Sequence, residues 1–332
     1  MEGFSHIAAV HHLPSGQLAV ADNRDNRLVL LDLTTGVARE HGRRGAGPAE
    51  YRAIGGLVPR PGGGVYLIDF AARRLLPLAP DGGFENPIVL PVSMTVRGAD
   101  AQGAIYGEAF LPRQGRTRAD SMWILRWVPG SARVDTLMKY DASVTAAVGP
   151  SGGRRPVFPP MDSWIPLRFG EILVASAARY RLSVWRAGRP LRGFDIPWER
   201  RRISPAEREV FLESQGSQRP RMLGQPGASS SAPPAPQYEF PEFYPAFGGE
   251  GLGGEYLSLA GNGDLWIERA VIPGSAERYY DVVDLEQGTL LGQVVLPSRA
   301  RLVGFGPDGL YLAEPDADDL EFIRRYPYPS LR

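Results

Sequence analysis

The stretch GQLAVADNRDNRLVLLDL (16–33) decides the fold. Ser15-Gly16 closes a tight turn, an alternating strand runs to Asp22, and a second turn leads into RLVLLDL (27–33). The same unit recurs as GGVYLID (63–69), GAIYGEA (103–109), GEILVAS (170–176), GDLWIER (263–269) and the shorter GLYLAE (309–314). Each copy precedes a second strand: RLLPLAP (74–80), MWILRWV (122–128), RLSVWRA (181–187), YYDVVDL (279–285) and LEFIRRY (320–326). With the strand before each Gly turn and an outer strand after, every unit is an antiparallel sheet of about four strands. Six such sheets around an axis make an all-β, six-bladed β-propeller, with residues 1–332 as a single domain.

The Gly turns are spaced by 47, 40, 67, 93 and 46 residues, so two connections are long. The longer insertion, 199–237, holds one short helix: Ser204-Pro205-Ala206-Glu207 is a capping box with Pro in the first turn. The helix is expected over about 205–214, with Gly216 past its end, followed by the Pro/Ser/Ala tract QPGASSSAPPAPQ (225–237). The last blade has segments near 300–305, 310–314 and 320–327 only, and Met1–Phe4 is too short for a full outer strand. We therefore expect an incomplete, three-stranded blade six whose edge is covered by an upstream strand or a partner.

Composition removes whole classes of chemistry. The 332 residues carry 37 basic and 37 acidic side chains, so no net field favours nucleic acid or an anionic membrane surface. With no Cys, thiolate nucleophiles, disulfides and thiolate metal sites are impossible. All four His (His6, His11, His12, His41) lie near the start. His6 and His12 share a strand face roughly 20 Å apart, too far for one ion, so no metal or other cofactor is expected. Asp22 and Asp69, in equivalent places, are read as acceptors for the following turn, and Arg27, Arg74 and Arg181 as inter-blade hydrogen-bond donors. Asp316, Asp318, Asp319 and Glu321 read as a solvated hairpin tip rather than a calcium site. No catalytic residue is assigned.

Two stretches stand out as an interaction surface. QYEFPEFYPAFGG (237–249) carries Tyr238, Phe240, Phe243, Tyr244 and Phe247, which either grip a partner or plug the sheet beneath the inserted helix. PRQGRTR (112–118) places Arg113, Arg116 and Arg118 on a basic tip suited to an acidic patch. No run approaches 18 apolar residues and no signal peptide is visible, which leaves a cytoplasmic location open.

GRRGAGPAEY (42–51), with SPAEREVFL (204–212), GDLWIE (263–268) and RLVGFGPDGLYL (301–312), resembles the NHL-like six-bladed propellers of bacteria, which carry a GxGPGEF-type segment. Ala49 stands where Gly is usual there and Tyr51 where Phe is usual. The likeness is greatest to an uncharacterised, Gemmatimonadota-like group with many exported members. It implies a non-catalytic protein-binding scaffold on the periplasmic or extracellular side of the envelope. Its partner would be another protein or a membrane-protein complex, such as an energy-transducing one like a photosynthetic reaction centre. The alternative is a metal-dependent, lactonase-like hydrolase; only four Asn, at turns or outer positions, weigh against that ligand set. Sugar-dehydrogenase chemistry lacks its mid-chain His, and RNA binding lacks a basic face with aromatic platforms.

Overall fold

A computed structural model describes residues 3–109, 121–141, 155–217, 237–248 and 256–331. Six antiparallel sheets surround a central axis. Their innermost strands are Ile7–His12, Ile54–Pro59, Thr95–Ala99, Ser163–Pro166, Leu257–Leu259 and Arg301–Gly306. The ring closes where the innermost strand of blade one lies against that of blade six. Blades one to five have four strands each and blade six three, Arg301–Gly306, Gly309–Pro315 and Glu321–Pro327. Phe4 adds a single bridge to the free side of the last strand, exchanging backbone bonds with Glu321 at 2.9 and 2.7 Å.

The first repeated device is the Gly turn. In blade one the Leu13 N–H bonds the Gln17 carbonyl at 2.8 Å and the Gly16 N–H bonds Leu13 at 2.9 Å. Gly16 sits at φ 87°, open to glycine without strain. The same pair of bonds recurs at Asp100–Ala104, Leu167–Glu171 and Ala260–Asp264. Blade six turns in two residues instead, pairing Gly306 with Gly309, which accounts for its shorter copy.

The second device is the carboxylate ending the second strand. Asp22 accepts from the Asp25 N–H of the following turn, and also from Ser5 and His6 at the entry to the innermost strand, at 3.1, 2.9 and 3.2 Å. Asp69 repeats this with Ala72, Arg52 and Ala53 at 3.3, 3.1 and 3.2 Å. Arg27 donates to the Gly3 carbonyl, and Arg74 to Asp69, Ala46 and Glu50. These arginines bind carbonyls and carboxylates, but they clamp the segment entering their own blade. Arg181 departs from the pattern because Ser176 replaces the carboxylate, and it pairs with the exposed Asp195 at 2.8 Å.

GRRGAGPAEY folds as a knot. Arg43–Arg44 pairs in parallel with Glu50–Tyr51, and the Glu50 carboxylate accepts the Ala46 and Gly47 N–H groups, both at 2.9 Å. A Cβ at Gly45 would meet that carboxylate, so a larger residue there would displace the Glu50 side chain. Tyr51 reaches back to blade one, its hydroxyl accepting the Leu28 N–H at 3.0 Å.

Packing follows the ring. Six buried apolar clusters fill the six junctions between neighbouring blades. A seventh (Val157, Phe158, Ile203, Phe211, Tyr244) lies under the helix Pro205–Ser217. The Ser204 Oγ accepts the Glu207 N–H at 3.2 Å while Glu207 accepts the Ser204 N–H at 2.8 Å, the reciprocal box read from the sequence. The helix runs past 214 and includes Gly216, a cost of about 1 kcal/mol that its last turn absorbs.

Candidate functional site

The innermost strands enclose a central channel of about 1750 Å³. Small or apolar residues, including Ala8, Gly55, Gly98, Ile165 and Gly304, contribute to its wall. A Cβ at Gly98 or Gly304 would meet Pro166 or Val10 of the neighbouring innermost strand, so these glycines let adjacent blades close up around the axis. Charged side chains gather toward its ends. On the face where innermost strands begin, Arg97 pairs with Glu108 at 3.1 Å and the Trp164 indole donates to Glu108 at 2.8 Å. Arg278 pairs with Glu268, and Arg301 with Glu321 at 2.6 Å. At the other end Asp100 accepts from Gln102, Ala104 and the Tyr106 hydroxyl at 3.0, 2.9 and 2.8 Å. Burial, with the Asp100 carboxylate beside it, pushes Tyr106 up to about 12.

Each of these ionised groups is held by an opposite charge or a polar hydrogen donor, and none stands as an isolated acid or base in the channel. His6 meets Asn23 at 2.8 Å, His12 stacks on Tyr311, and His11 lies 3.4 Å from the Gly63 carbonyl. Among the described residues no three His, Asp or Glu side chains gather to hold a metal ion.

Burial lowers His11 and His12, with the neighbouring His12 adding to the first and Arg325 to the second. A depressed folded value means the unfolded chain takes up protons first as pH falls through the ordinary 6.5. The histidines should leave stability untouched above that value and erode it below. Thermal melts from neutral to mildly acidic pH should show His11→Asn flattening this slope; an unchanged slope would remove His11 as its source.

All the long connections open on one face. Ala109 and Ser121, Asp141 and Ser163, and Asp195 and Leu257 all leave or re-enter the ring there, over blades three to five. A cap is built on that face: Arg155–Pro156 pairs in parallel with Tyr238–Glu239, and the helix seats Phe211 against Phe158, Tyr238 and Phe240. Tyr244 is buried in the same cluster, and Phe247 is fully buried between blades four and five. Phe243 lies between two guanidinium groups, Arg200 at 4.3 Å and Arg202 at 5.3 Å. The aromatic run is thus brought together, chiefly as the cap's packing. Arg113, Arg116 and Arg118 lie outside the described residues, as do 225–236 and 249.

A network the sequence did not reveal joins blades four and five where Phe247 packs against Tyr180. Asp281, in the third strand of blade five, accepts from the Tyr180 hydroxyl at 2.5 Å, Arg269 at 3.0 Å and Gln293 at 2.9 Å. Burial and the Asp281 charge push Tyr180 far up. Arg269 also covers the rings of Tyr180 and Trp198. Arg269, Asp281 and Gln293 belong to one blade, but Tyr180 lies 101 residues before Asp281, so only the turn position of Tyr180 offered a signal.

No protein-family model and no curated protein matches the chain. Among solved structures, a presumed exported protein of Bacteroides fragilis is 12% identical and aligns over 94% of this chain and 80% of its own, with a TM-score of 0.50. A DUF4221 family member from Bacteroides vulgatus is 9% identical over 98% and 94%, also at 0.50. A streptogramin B lyase aligns at 11% identity over 98% and 95%, with a TM-score of 0.46, too low to bear on this chain. The class is a six-bladed β-propeller similar to uncharacterised bacterial propellers. No helix among the described residues is long and apolar enough to cross a membrane.

Proposed function

We propose that the protein is a non-catalytic binding scaffold, an accessory subunit that docks on another protein or a membrane-associated complex at the outer side of the cell envelope. The observation that supports this most is the segregation of the long connections and the packed cap onto one face, where loops on a rigid frame take up partners. The carboxylates that line the channel are each engaged by an arginine, an indole, a hydroxyl or backbone N–H groups, which fits a structural lining better than an acid–base pair. The resemblance to exported bacterial propellers supports the envelope location. An energy-transducing membrane complex is one host consistent with it.

Tagged protein recovered under native conditions from its own cells should have the mass of a complex with fixed stoichiometry. A monomer that hydrolyses lactones on addition of calcium would overturn the scaffold reading.

A further inference from the structure

On the same face, blades one and two carry four exposed arginines, Arg24, Arg44, Arg52 and Arg73, around Phe70, which is 62% exposed. Backbone geometry makes them one surface. The Phe70 N–H bonds Ala53 at 3.1 Å, the Arg73 N–H bonds Phe70 at 3.3 Å, and the Asn26 side chain donates to the Arg52 carbonyl at 3.2 Å. Arg44 lies opposite Tyr51, beside Arg52, in the parallel pair.

The carboxylates of these turns are already engaged. Asp22 and Asp69 are fully buried on backbone N–H groups with Arg27 and Arg74 beside them, and Glu50 holds Arg43 at 2.7 Å. Asp25, the one exposed carboxylate of these turns, accepts from the Ser5 hydroxyl at 2.8 Å and lies 3.8 Å from Arg27. None of the four arginines makes an ion pair among the described residues. The surface is therefore electropositive in a chain of zero net charge.

We infer that this surface docks an acidic, extended segment of a partner protein, with Phe70 inserted against an apolar residue of that segment. The inference rests on the scaffold reading and gives it a place and a chemistry. Aromatic and arginine side chains are the residues through which docking surfaces hold most strongly. A flat anionic bilayer fits less well, because the neighbouring blade-six turn presents exposed Asp318 and Asp319 on the same face. A bilayer would meet both charges at once, whereas a narrow acidic strip lies on the arginines alone.

The probe is a fluorescein-labelled synthetic peptide of Asp and Glu with a central Leu, read by fluorescence polarisation. The full chain should bind it at low salt and release it at high salt. Double reversal, R52E with R73E, should weaken binding by roughly tenfold or more, and F70A should weaken it with the salt dependence unchanged. The reversal R168E with R189E, away from this surface, should have no effect; both pairs leave melting unchanged because all four side chains are exposed.

Equal loss from both pairs, or absence of peptide binding, would overturn the inference. So would binding only to vesicles of phosphatidylcholine and phosphatidylglycerol. A native complex that survives R52E with R73E would overturn this surface while leaving the scaffold reading intact; absence of any complex would instead remove that reading.

Discussion

Replacing Asp281 with Ala is expected to destabilise the protein by about 3–5 kcal/mol, the range for removing one partner of a buried charged pair. Asp281 is 1% exposed and takes three donors, so its loss strands the Tyr180 hydroxyl and leaves the Arg269 guanidinium without its counter-charge. Tyr180 holds a left-handed backbone conformation, φ 50°, that a bulky residue adopts only when its surroundings fix it. Freed of Asp281, that turn should relax and loosen the junction of blades four and five. Asp281→Asn keeps the size and part of the bonding, so it should cost less. Denaturant melts read the difference. A D281A loss under about 1 kcal/mol would mean that apolar packing at Phe247 holds that junction without the network.

The second large effect is expected at the seam of the ring. The Glu321 carboxylate is not part of the solvated tip expected from the sequence: 8% exposed, it accepts the Ile7 N–H at 2.6 Å and holds Arg301, which itself donates to the Ile7 carbonyl at 3.1 Å. One side chain thus joins blade six to blade one, beside the Phe4 bridge. Glu321→Ala leaves an unsatisfied buried N–H and an unpaired arginine, a cost of about 3 kcal/mol. Because the damage sits at the closure, native-state hydrogen exchange should show blades one and six losing protection before blades three and four. Uniform loss across all six blades would contradict the role of Glu321 as a seam residue.

The propeller was legible because it rests on local repetition. Gly16, Gly103, Gly170 and Gly263 mark one turn geometry, and Asp22 and Asp69 mark one way of fastening strand ends. The capping box at Ser204 is equally local. What the sequence concealed is contact between distant residues. Nothing near Tyr180 points to Asp281, 101 residues on, and Glu108 meets Trp164 across 56. The aromatic run 237–249 was conspicuous, yet composition could not divide it between partner contact and packing. Phe211, on the helix of the same insertion, supplies the packing partner. The arginine surface was hidden for the opposite reason. Four single arginines from two turns and a connection look unremarkable until backbone hydrogen bonds draw those segments together.

The most direct test of the scaffold reading is site-specific photo-cross-linking in the native cell. The photoreactive residue would replace Leu212, 45% exposed on the helix of the cap, or Val37, 46% exposed at a turn on the opposite face. One defined protein adduct is expected from position 212 and none from 37. Adducts from 37 alone, or from neither position in a chain that remains monomeric, would contradict that reading.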